Sequence, residues 1–369
     1  MLFPFQFINH ALNKVGEIPC YFLEQSLNKN RFSYQLFPTW FRPVLKELPA
    51  LKDHFENVFI ETKKIKAAKI KELQQLHTCL VTGYDIVSLC NDPALPSPST
   101  RPLSDELHDK LKLLYNYFFS ETLKESKNLY AALKGTYDEQ YSLFRSTNLS
   151  LGKVCPMCGL HEYPLRSNEP KAQYDHWLPQ DIYPLLAINF LNLVPICGIC
   201  NNIKLAKDLL FNNHVRTIAF YPYKNHGGLS FEISSYTPFD KLNNVDQEKY
   251  NYGKYEWAIN CLDNGDNPKL ESWNRVFNIK NRYSSYISDY YQEMKTTLNE
   301  YLHEKGLIFP NGSTKGDLIN ALKQFQSNRI KDIKRETGSH LKKAYIDYIC
   351  IDGNEPLLYT FFGIKSSAA

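Results

Sequence analysis

The sequence lacks the long hydrophobic runs of membrane proteins: no stretch approaches the ~18 consecutive apolar residues that a spanning helix needs. Its first residues, Met1-Leu2-Phe3-Pro4-Phe5, have neither the cationic lead nor the long apolar core of a secretory signal. Internal repeats and low-complexity segments are also missing. We therefore expect a cytoplasmic protein with no membrane partner.

A strong charge of either sign is absent as well. The net charge of +4 over 369 residues is too mild to indicate a polyanionic partner by itself. Hydrophobic residues make up 43% of the chain, so we expect a folded protein with room for two or three domains. The 25 Tyr and 22 Phe residues favour packed cores over exposed stacking surfaces.

Local charge is more pronounced than the total. Residues 269–345 hold 14 Lys and Arg against 8 Asp and Glu, an excess of +6. A second basic strip consists of Lys63, Lys64, Lys66, Lys69 and Lys71. Both patterns are typical of a solvated helix face and also of a nucleic-acid contact, and the sequence leaves the two interpretations open.

Helical periodicity dominates residues 1 to about 145, and one long helical pattern spans 43–80. A Pro- and Ser-rich loop follows at 91–102, after which Ser104 is a natural N-cap for a helix over 105–124. A further helix is predicted over 128–144.

The rest of the chain mixes strands and helices. We predict strands over 215–221, 229–235 and 255–262, with a turn at 226–228 between the first two. A long helix over 273–305, a turn at 310–313 and a basic helix over 315–334 complete the prediction.

Two Cys-x-x-Cys pairs, Cys155/Cys158 and Cys197/Cys200, are separated by 38 residues. The two-residue spacer lets both thiolates of a pair reach one ion at ~2.3 Å, so two pairs give a closed tetrahedral shell of four sulfurs. A closed shell has no position for substrate, and we therefore expect a structural zinc. Simple buried thiols or a thioredoxin-like redox pair are the alternatives, but two pairs that flank a compact segment suit neither.

The cysteine count is nine, which is odd, and a disulfide framework is not expected in a long chain without a leader. The remaining five are predicted to be ordinary buried thiols: Cys20, Cys79, Cys90, Cys261 and Cys350.

Asp175-His176 and Asn192 lie between the two pairs, and Asn201 and Lys204 follow the last cysteine. Phosphodiester hydrolysis needs a nucleophilic water, a base for its proton and a cation for the developing charge. Histidine is suited to accept a proton near pH 7, and aspartate is an oxygen ligand for a hard cation such as Mg²⁺. Because adjacent strand residues point to opposite sides, Asp175 and His176 must lie at a strand end or bend to serve one site.

Asp-His, then Asn-Leu, then Cys-Asn-x-x-Lys, in this order and bracketed by Cys-x-x-Cys pairs, resembles the HNH endonucleases, a family of ββα-metal (His-Me finger) nucleases. The resemblance covers residues 153–210, about a sixth of the chain. It implies a ββα unit whose helix spans 200–207. The fold class that we expect is α+β and predominantly helical.

This zinc-stapled HNH core would be flanked by an N-terminal helical domain and a C-terminal strand-plus-helix region. We place the domains at 1–145, 146–240 and 241–369.

The same resemblance implies roles for the candidate site residues. His176 would be the general base that activates water, and Asp175 the first ligand of a catalytic Mg²⁺ or Mn²⁺. Asn192 would steady the loop and the histidine, and Asn201 would be the second metal ligand or a phosphate contact.

Two residues near Asn201 leave alternatives open, Asn202 and Lys204. The third motif position, which is often His in the family, is assigned to Asn201, but the adjacent Asn202 is an alternative for the same position. Lys204, one turn beyond Asn201, would either contact a substrate phosphate or be a solvated lysine.

Three segments, 175–184, 220–223 and 271–283, look like a subgroup of HNH proteins from bacterial defence operons. They are similar to the HNH component of Septu-type anti-phage systems, which works beside an ATPase. This likeness implies the nuclease effector of an anti-phage system, with an ATPase or another defence-operon protein as partner. The N-terminal helical region lies outside it.

The leading hypothesis is therefore an endonuclease that cuts DNA. The same fold acting on RNA, and a non-catalytic zinc-finger module that binds nucleic acid, are the alternatives. One HNH centre cleaves one strand per event, so a double-strand break would need a homo-oligomer or two successive cuts. The aromatic and basic segment 273–283 is interpreted as core rather than as an interaction surface.

Overall fold

The computed structural model describes residues 1–65, 69–74, 86–149, 152–162, 174–225, 229–238, 255–262, 267–310 and 313–364. The protein is α+β and mostly helical, as expected, and three two-stranded antiparallel sheets lie within these ranges. Across the same ranges, no helix combines the length and the hydropathy needed to cross a membrane.

The main helices of the N-terminal part are α1 (Ile18–Asn28), α2 (Arg42–Glu47), α3 (Pro49–Lys64), α4 (Ile86–Asn91), α5 (Asp105–Tyr117), α6 (Lys127–Leu133) and α7 (Tyr137–Leu149). Residues 69–74 are helical too. Aromatic rings fill the space between α1, α3 and α5, where Phe37 packs on Phe22 and Phe55 at centroid distances of 5.1 and 4.8 Å. The preference for packed aromatics is confirmed here.

The helical pattern over 43–80 does not form one helix. The chain is extended at Leu48 (φ −120°, ψ 79°), because the ring of Pro49 excludes the helical conformation from the residue before it. The helical pattern is therefore interrupted at this point, and its residues 66–68 and 75–80 lie outside the described ranges.

The helix predicted over 105–124 begins as expected, and an irregular turn lies near its predicted end. The Ser104 Oγ accepts from the Leu107 N–H at 3.2 Å, as an N-cap should. The helix then widens into a π turn at Phe118–Thr122 and ends with Leu123–Glu125.

The predicted helix over 128–144 is two helices, α6 and α7. Lys134 ends α6 in the left-handed conformation (φ 55°). Thr136 and Glu139 then cap α7 reciprocally: the Thr136 N–H donates to Glu139 Oε2 at 2.7 Å, and the Glu139 N–H donates to Thr136 Oγ1 at 3.1 Å. This capping box shows that a second helix begins here, although the apolar pattern of the sequence continues without a break.

The central part holds a β–β–α sequence of elements. Strand β1 (Tyr174–His176) pairs antiparallel with β2 (Leu193–Pro195), and helix α8 (Gly198–Lys204) follows. The predicted bounds of this helix, 200–207, were wrong at both ends. The Cys197 Sγ accepts from the Cys200 N–H at 3.4 Å and so starts the helix early, and Leu205 ends it with φ 43°.

Two hairpins follow. A short one joins β3 (Phe211–Asn212) to β4 (Val215–Arg216), and a longer one pairs β5 (Ser230–Pro238) with β6 (Tyr255–Leu262). The predictions over 229–235 and 255–262 are confirmed as strands, whereas the strand predicted over 215–221 stops at Arg216. Beyond that point the backbone bonds go elsewhere, as when the Ala219 N–H donates to Cys90 O at 2.8 Å. The turn predicted at 226–228 lies outside the described ranges.

Five helices complete the described chain: α9 (Asn267–Phe277), α10 (Ile279–Glu304), α11 (Lys315–Arg329), α12 (Ser339–Ile349) and α13 (Glu355–Phe362). The single helix predicted over 273–305 was wrong: it begins earlier and is interrupted at Asn278, which takes the left-handed conformation (φ 51°). The helix predicted over 315–334 ends at Arg329.

One continuous hydrophobic core joins buried residues from Met1 to Ile364, so it includes side chains of all three predicted domains. The predicted domain boundaries stay predictions. Trp273, Phe277 and Tyr283 belong to this core, as interpreted from the sequence.

Part of the basic charge in the two sequence strips is paired. Lys64 meets Glu61 at 2.8 Å and Lys69 meets Glu72 at 3.0 Å. In the later stretch, Lys323 lies 2.5 Å from the Asp347 carboxylate. Lys66 lies outside the described ranges.

Candidate functional site

The four cysteines of the two pairs come together in a buried cluster. Their Sγ atoms all lie within 4.8 Å of one another, and the Cys158 and Cys197 sulfurs are 4.0 Å apart. Tetrahedral zinc with bonds of ~2.3 Å holds its sulfurs ~3.8 Å apart. The residues present therefore fit a metal such as zinc. Among the residues that the structure describes, this is the one group of three or more His, Cys, Asp or Glu side chains that is close enough to hold an ion.

The backbone shapes the first pair into a tight turn. The Gly159 N–H donates to Cys155 O at 2.8 Å, and Gly159 has φ +68°. A Cβ at this position would lie 2.5 Å from His340 Cε1 and from Leu2 Cδ1. Both the left-handed conformation and the close approach require glycine here.

None of the described cysteines forms a disulfide with another described cysteine. Outside the cluster, Cys90 is buried and Cys20, Cys261 and Cys350 are half-buried, so only one of these four matches the expected full burial. Cys79 lies outside the described ranges.

Helices α9 and α10 close over the cluster. The Trp273 indole N–H donates to Met157 O at 2.8 Å, and the Tyr283 hydroxyl donates to Cys158 O at 2.9 Å. The Arg282 guanidinium donates to the Cys200 sulfur at 3.5 Å. Groups behind the ligands orient them and balance their charge, so these side chains support the cluster. The sequence analysis did not identify them as part of it.

Asp175 and His176 occupy the end of β1, where the strand ends at His176. Both are buried, with 9% and 8% of their surface exposed. The strand is anchored to α7 by the Tyr174 hydroxyl, which donates to Gln140 Oε1 at 2.5 Å. The strand-end position expected from the sequence is confirmed.

The imidazole of His176 is held in one orientation. Its Nε2 lies 2.9 Å from Ala187 O, and because a carbonyl only accepts, Nε2 carries the hydrogen. The basic lone pair is then on Nδ1. Burial lowers the pKa of His176 to about 4, with the charges of Lys204 and Lys124 acting in the same direction. The ring is therefore neutral near pH 7, with its Nδ1 lone pair free of a proton.

Lys204 is fully buried and lies between the two site residues. Its Nζ is 2.9 Å from Asp175 Oδ2 and donates to His176 O at 2.7 Å. Burial raises the pKa of Asp175, and the Lys204 charge opposes this rise without cancelling it. Lys204 is thus not a solvated lysine, and its ammonium fixes α8 to β1.

Asn192 ties together the loop between β1 and β2. Its Oδ1 accepts from the Leu178 N–H at 2.8 Å, and its Nδ2 donates to Leu178 O at 2.9 Å and to Leu186 O at 3.3 Å. The side chain is completely buried. The same loop carries Ala187, whose carbonyl orients His176, so Asn192 supports the histidine indirectly.

A cleft of about 180 Å³ opens beside the end of β1. It is lined by Asp175, His176, Pro179, Gln180, Asp181, Leu205 and Ala206. The Gln180 Oε1 is buried and accepts no hydrogen bond from the described residues. The Asp181 carboxylate pairs with Lys112 at 3.0 Å.

The structure does not bring Asn201 into the lining of this cleft. Asn201 is half-buried on α8, and its neighbour Asn202 is exposed. Two other side chains with oxygen atoms, Gln180 and Asp181, line the cleft together with Asp175. Neither was singled out from the sequence.

The N-terminal helices place two further residues, Phe119 and Lys124, near the site. The Phe119 ring meets the His176 ring edge-on with centroids 4.6 Å apart, and Lys124 Nζ lies 4.9 Å from the Phe119 centroid. The sequence analysis missed both residues. The adjacent aromatic residues 117–119 were a usable signal, because three successive rings of a helix cannot all face one core.

Comparison of the chain with protein-family models, with curated proteins and with solved structures finds no match.

Proposed function

We propose that this protein is a zinc-stabilised HNH-type endonuclease that hydrolyses phosphodiester bonds, with DNA as its substrate. The observation that carries the proposal is the arrangement at the end of β1. There a neutral histidine of fixed orientation and a buried carboxylate share one cleft. The β1–β2–α8 order with bracketing cysteine pairs is the arrangement that the HNH resemblance implies, and it supports the proposal.

His176 is the general base in this proposal. Its Nδ1 takes a proton from a water in the cleft while the water oxygen forms a bond to phosphorus and the bond to the leaving oxygen breaks. The Nε2–H donates to Ala187 O throughout, and this bond strengthens as the ring becomes an imidazolium. A positioned base of this kind contributes about 10²–10⁴-fold to the rate.

Two metal sites belong to the proposal. The cysteine cluster holds a structural zinc, which staples α8 to the turn at Cys155 and Cys158. The cleft suits a Mg²⁺ or Mn²⁺, because Asp175, Asp181 and the unpartnered Gln180 oxygen supply the oxygen donors that hard cations prefer. When bound, such a cation supplies positive charge for the phosphate and the leaving oxygen.

Lys204 is a positioning residue. It balances the charge of Asp175, which is largely buried, and it holds the backbone of His176 against α8. The side chain acts through these two residues and does not itself face the cleft.

A cleavage assay tests the proposal. Supercoiled plasmid, single-stranded DNA and tRNA are incubated with the purified protein and Mg²⁺ or Mn²⁺. We expect nicking of the plasmid, and we expect His176→Ala to abolish it while His303→Ala, at an exposed histidine near the end of α10 and outside the cleft lining, does not. Full activity of His176→Ala would overturn the assignment.

The substrate panel separates the alternatives. Cleavage of tRNA with both DNA substrates intact would replace DNA by RNA as the substrate. Binding of nucleic acid without cleavage, unchanged by His176→Ala, would favour the zinc-binding module. Linear plasmid as the first product would indicate two copies acting together.

A further inference from the structure

The π turn at Phe118–Thr122 brings the N-terminal helices against the proposed active site. A π turn inserts an extra residue into a helix and is frequent at functional sites. Here it follows α5 and places the Phe119 ring edge-on against His176 at 4.6 Å. The half-buried ring thus forms a wall beside the imidazole.

Beyond this ring lies an exposed ammonium. Lys124 Nζ is 4.9 Å from the Phe119 centroid, a cation–π contact that holds the charge without neutralising it. Glu121 and Glu125 are on the same turn, yet within the described ranges neither forms an ion pair with Lys124. Because both contacts run through one ring, the ammonium lies within about 10 Å of the imidazole.

Two other lysines near the cleft have a carboxylate partner, and the exposed Lys207, next to the cleft-lining Ala206, donates to Val276 O at 3.3 Å. Lys112 pairs with Asp181 at 3.0 Å, and Lys204 is buried against Asp175 at 2.9 Å. Of these four lysines, Lys124 is the one whose ammonium is exposed and has neither a carboxylate nor a carbonyl partner in the part of the chain that the structure describes.

We propose that Lys124 binds a backbone phosphate of the nucleic-acid substrate next to the scissile bond, and that Phe119 positions this ammonium relative to His176. The proposal rests on the proposed function and extends it. The N-terminal helical region then contributes directly to substrate binding, through a phosphate contact that fixes the strand without reading its sequence.

Binding to DNA, measured separately from cleavage, tests the proposal. Fluorescence anisotropy with a short duplex DNA over a range of salt concentrations is carried out without added Mg²⁺ or Mn²⁺, so that His176 and its contact with Phe119 are kept while no cleavage occurs. We expect Lys124→Met to weaken binding about tenfold at low salt and to reduce the slope of log K against log salt by about 1. Lys124→Arg should restore both, since it keeps the charge.

Lys305→Met is the matched control. Lys305 is an exposed lysine just beyond the end of α10, about 35 Å along the helix axis from Arg282 beside the cysteine cluster. Its loss changes the net charge equally but should leave binding unchanged. Equal binding by Lys124→Met and Lys305→Met, or no DNA binding at all, would overturn the inference.

Phe119→Leu tests the positioning role. We expect it to weaken binding and to add little in combination with Lys124→Met, because both changes remove the same contact. Fully additive losses would contradict the role of Phe119. Because binding is measured without cleavage, a protein that binds through Lys124 but cuts nothing would refute the proposed function while the phosphate contact of Lys124 would still be supported.

Discussion

The buried pair of Lys204 and Asp175 gives the sharpest prediction about stability. Lys204→Met keeps most of the apolar stem but leaves a largely buried carboxylate without its counter-ion, and it leaves His176 O without its donor. Breaking a buried ion pair from one side costs about 3–5 kcal/mol, and we expect the free energy of unfolding to fall by that amount. Urea unfolding followed by circular dichroism measures it.

The pH dependence of this loss identifies its cause. Burial already raises the pKa of Asp175 above its ordinary value of 3.8 despite Lys204, and removing Lys204 raises it further. A carboxyl whose folded-state pKa exceeds its unfolded value binds its proton more tightly when folded, so it destabilises the fold increasingly as pH rises. The deficit of the variant should therefore be largest near pH 8 and shrink towards pH 4, where a protonated Asp175 needs no counter-ion.

Two further variants complete the experiment. Lys323→Met removes an exposed partner of Asp347, both about half exposed, and should cost no more than about 1 kcal/mol. Asp175→Asn combined with Lys204→Met leaves no buried charge and should recover at least half of the loss. A cost no greater than that of Lys323→Met, or a deficit that does not change with pH, would refute the reasoning.

Three other changes have definite outcomes. Cys155→Ser should abolish the binding of about one zinc per chain and lower the melting temperature, whereas Cys350→Ser should keep the metal. Metal analysis measures the zinc content and calorimetry the melting temperature, and a metal-free protein of unchanged stability would contradict this prediction. Asn192→Ala should cost about 3 kcal/mol in urea unfolding, because it removes three buried hydrogen bonds, and a cost below about 1 kcal/mol would show that the loop holds without them. Leu205→Gly should raise stability by up to about 1 kcal/mol, since Leu205 has φ 43° and ψ −129°, which only glycine adopts without strain; a loss of stability would refute this.

The sequence was sufficient for features that depend on local spacing. The two Cys-x-x-Cys pairs identified the cysteine cluster, because a two-residue spacer fixes how far apart two thiols of one turn lie. Ser104 identified the start of α5, because a side-chain oxygen at an N-cap satisfies a specific backbone N–H. The adjacent Asp175 and His176 were placed at a strand end by geometry alone.

Helix interruptions were missed where an apolar pattern continued across them. Asn278 stops one helix and the pattern resumes in the next, so periodicity alone shows a single element. Lys134 breaks the pattern in the same way, and only the capping pair that follows it reveals the break. A single residue of positive φ changes the hydrophobic pattern too little for the sequence to reveal the helix interruption.

Long-range contacts around the site were beyond reach of the sequence. Arg282 contacts Cys200 across 82 residues, and Phe119 meets His176 across 57. Nothing in local spacing indicates which distant helix closes over a cleft, because tertiary packing decides it. The burial of Lys204 was missed for the same reason, since a lysine near a helix end is ordinarily solvated.

Cleavage by a His176→Gln variant tests the central claim most directly. The glutamine amide can donate to Ala187 O as Nε2 does, so the loop contact is kept while the basic nitrogen is lost. Single-turnover cleavage of plasmid DNA with Mg²⁺ should fall at least about 10²-fold, with the melting temperature and the zinc content close to those of the unchanged protein. Cleavage at the original rate by a folded, zinc-loaded His176→Gln protein would contradict the account.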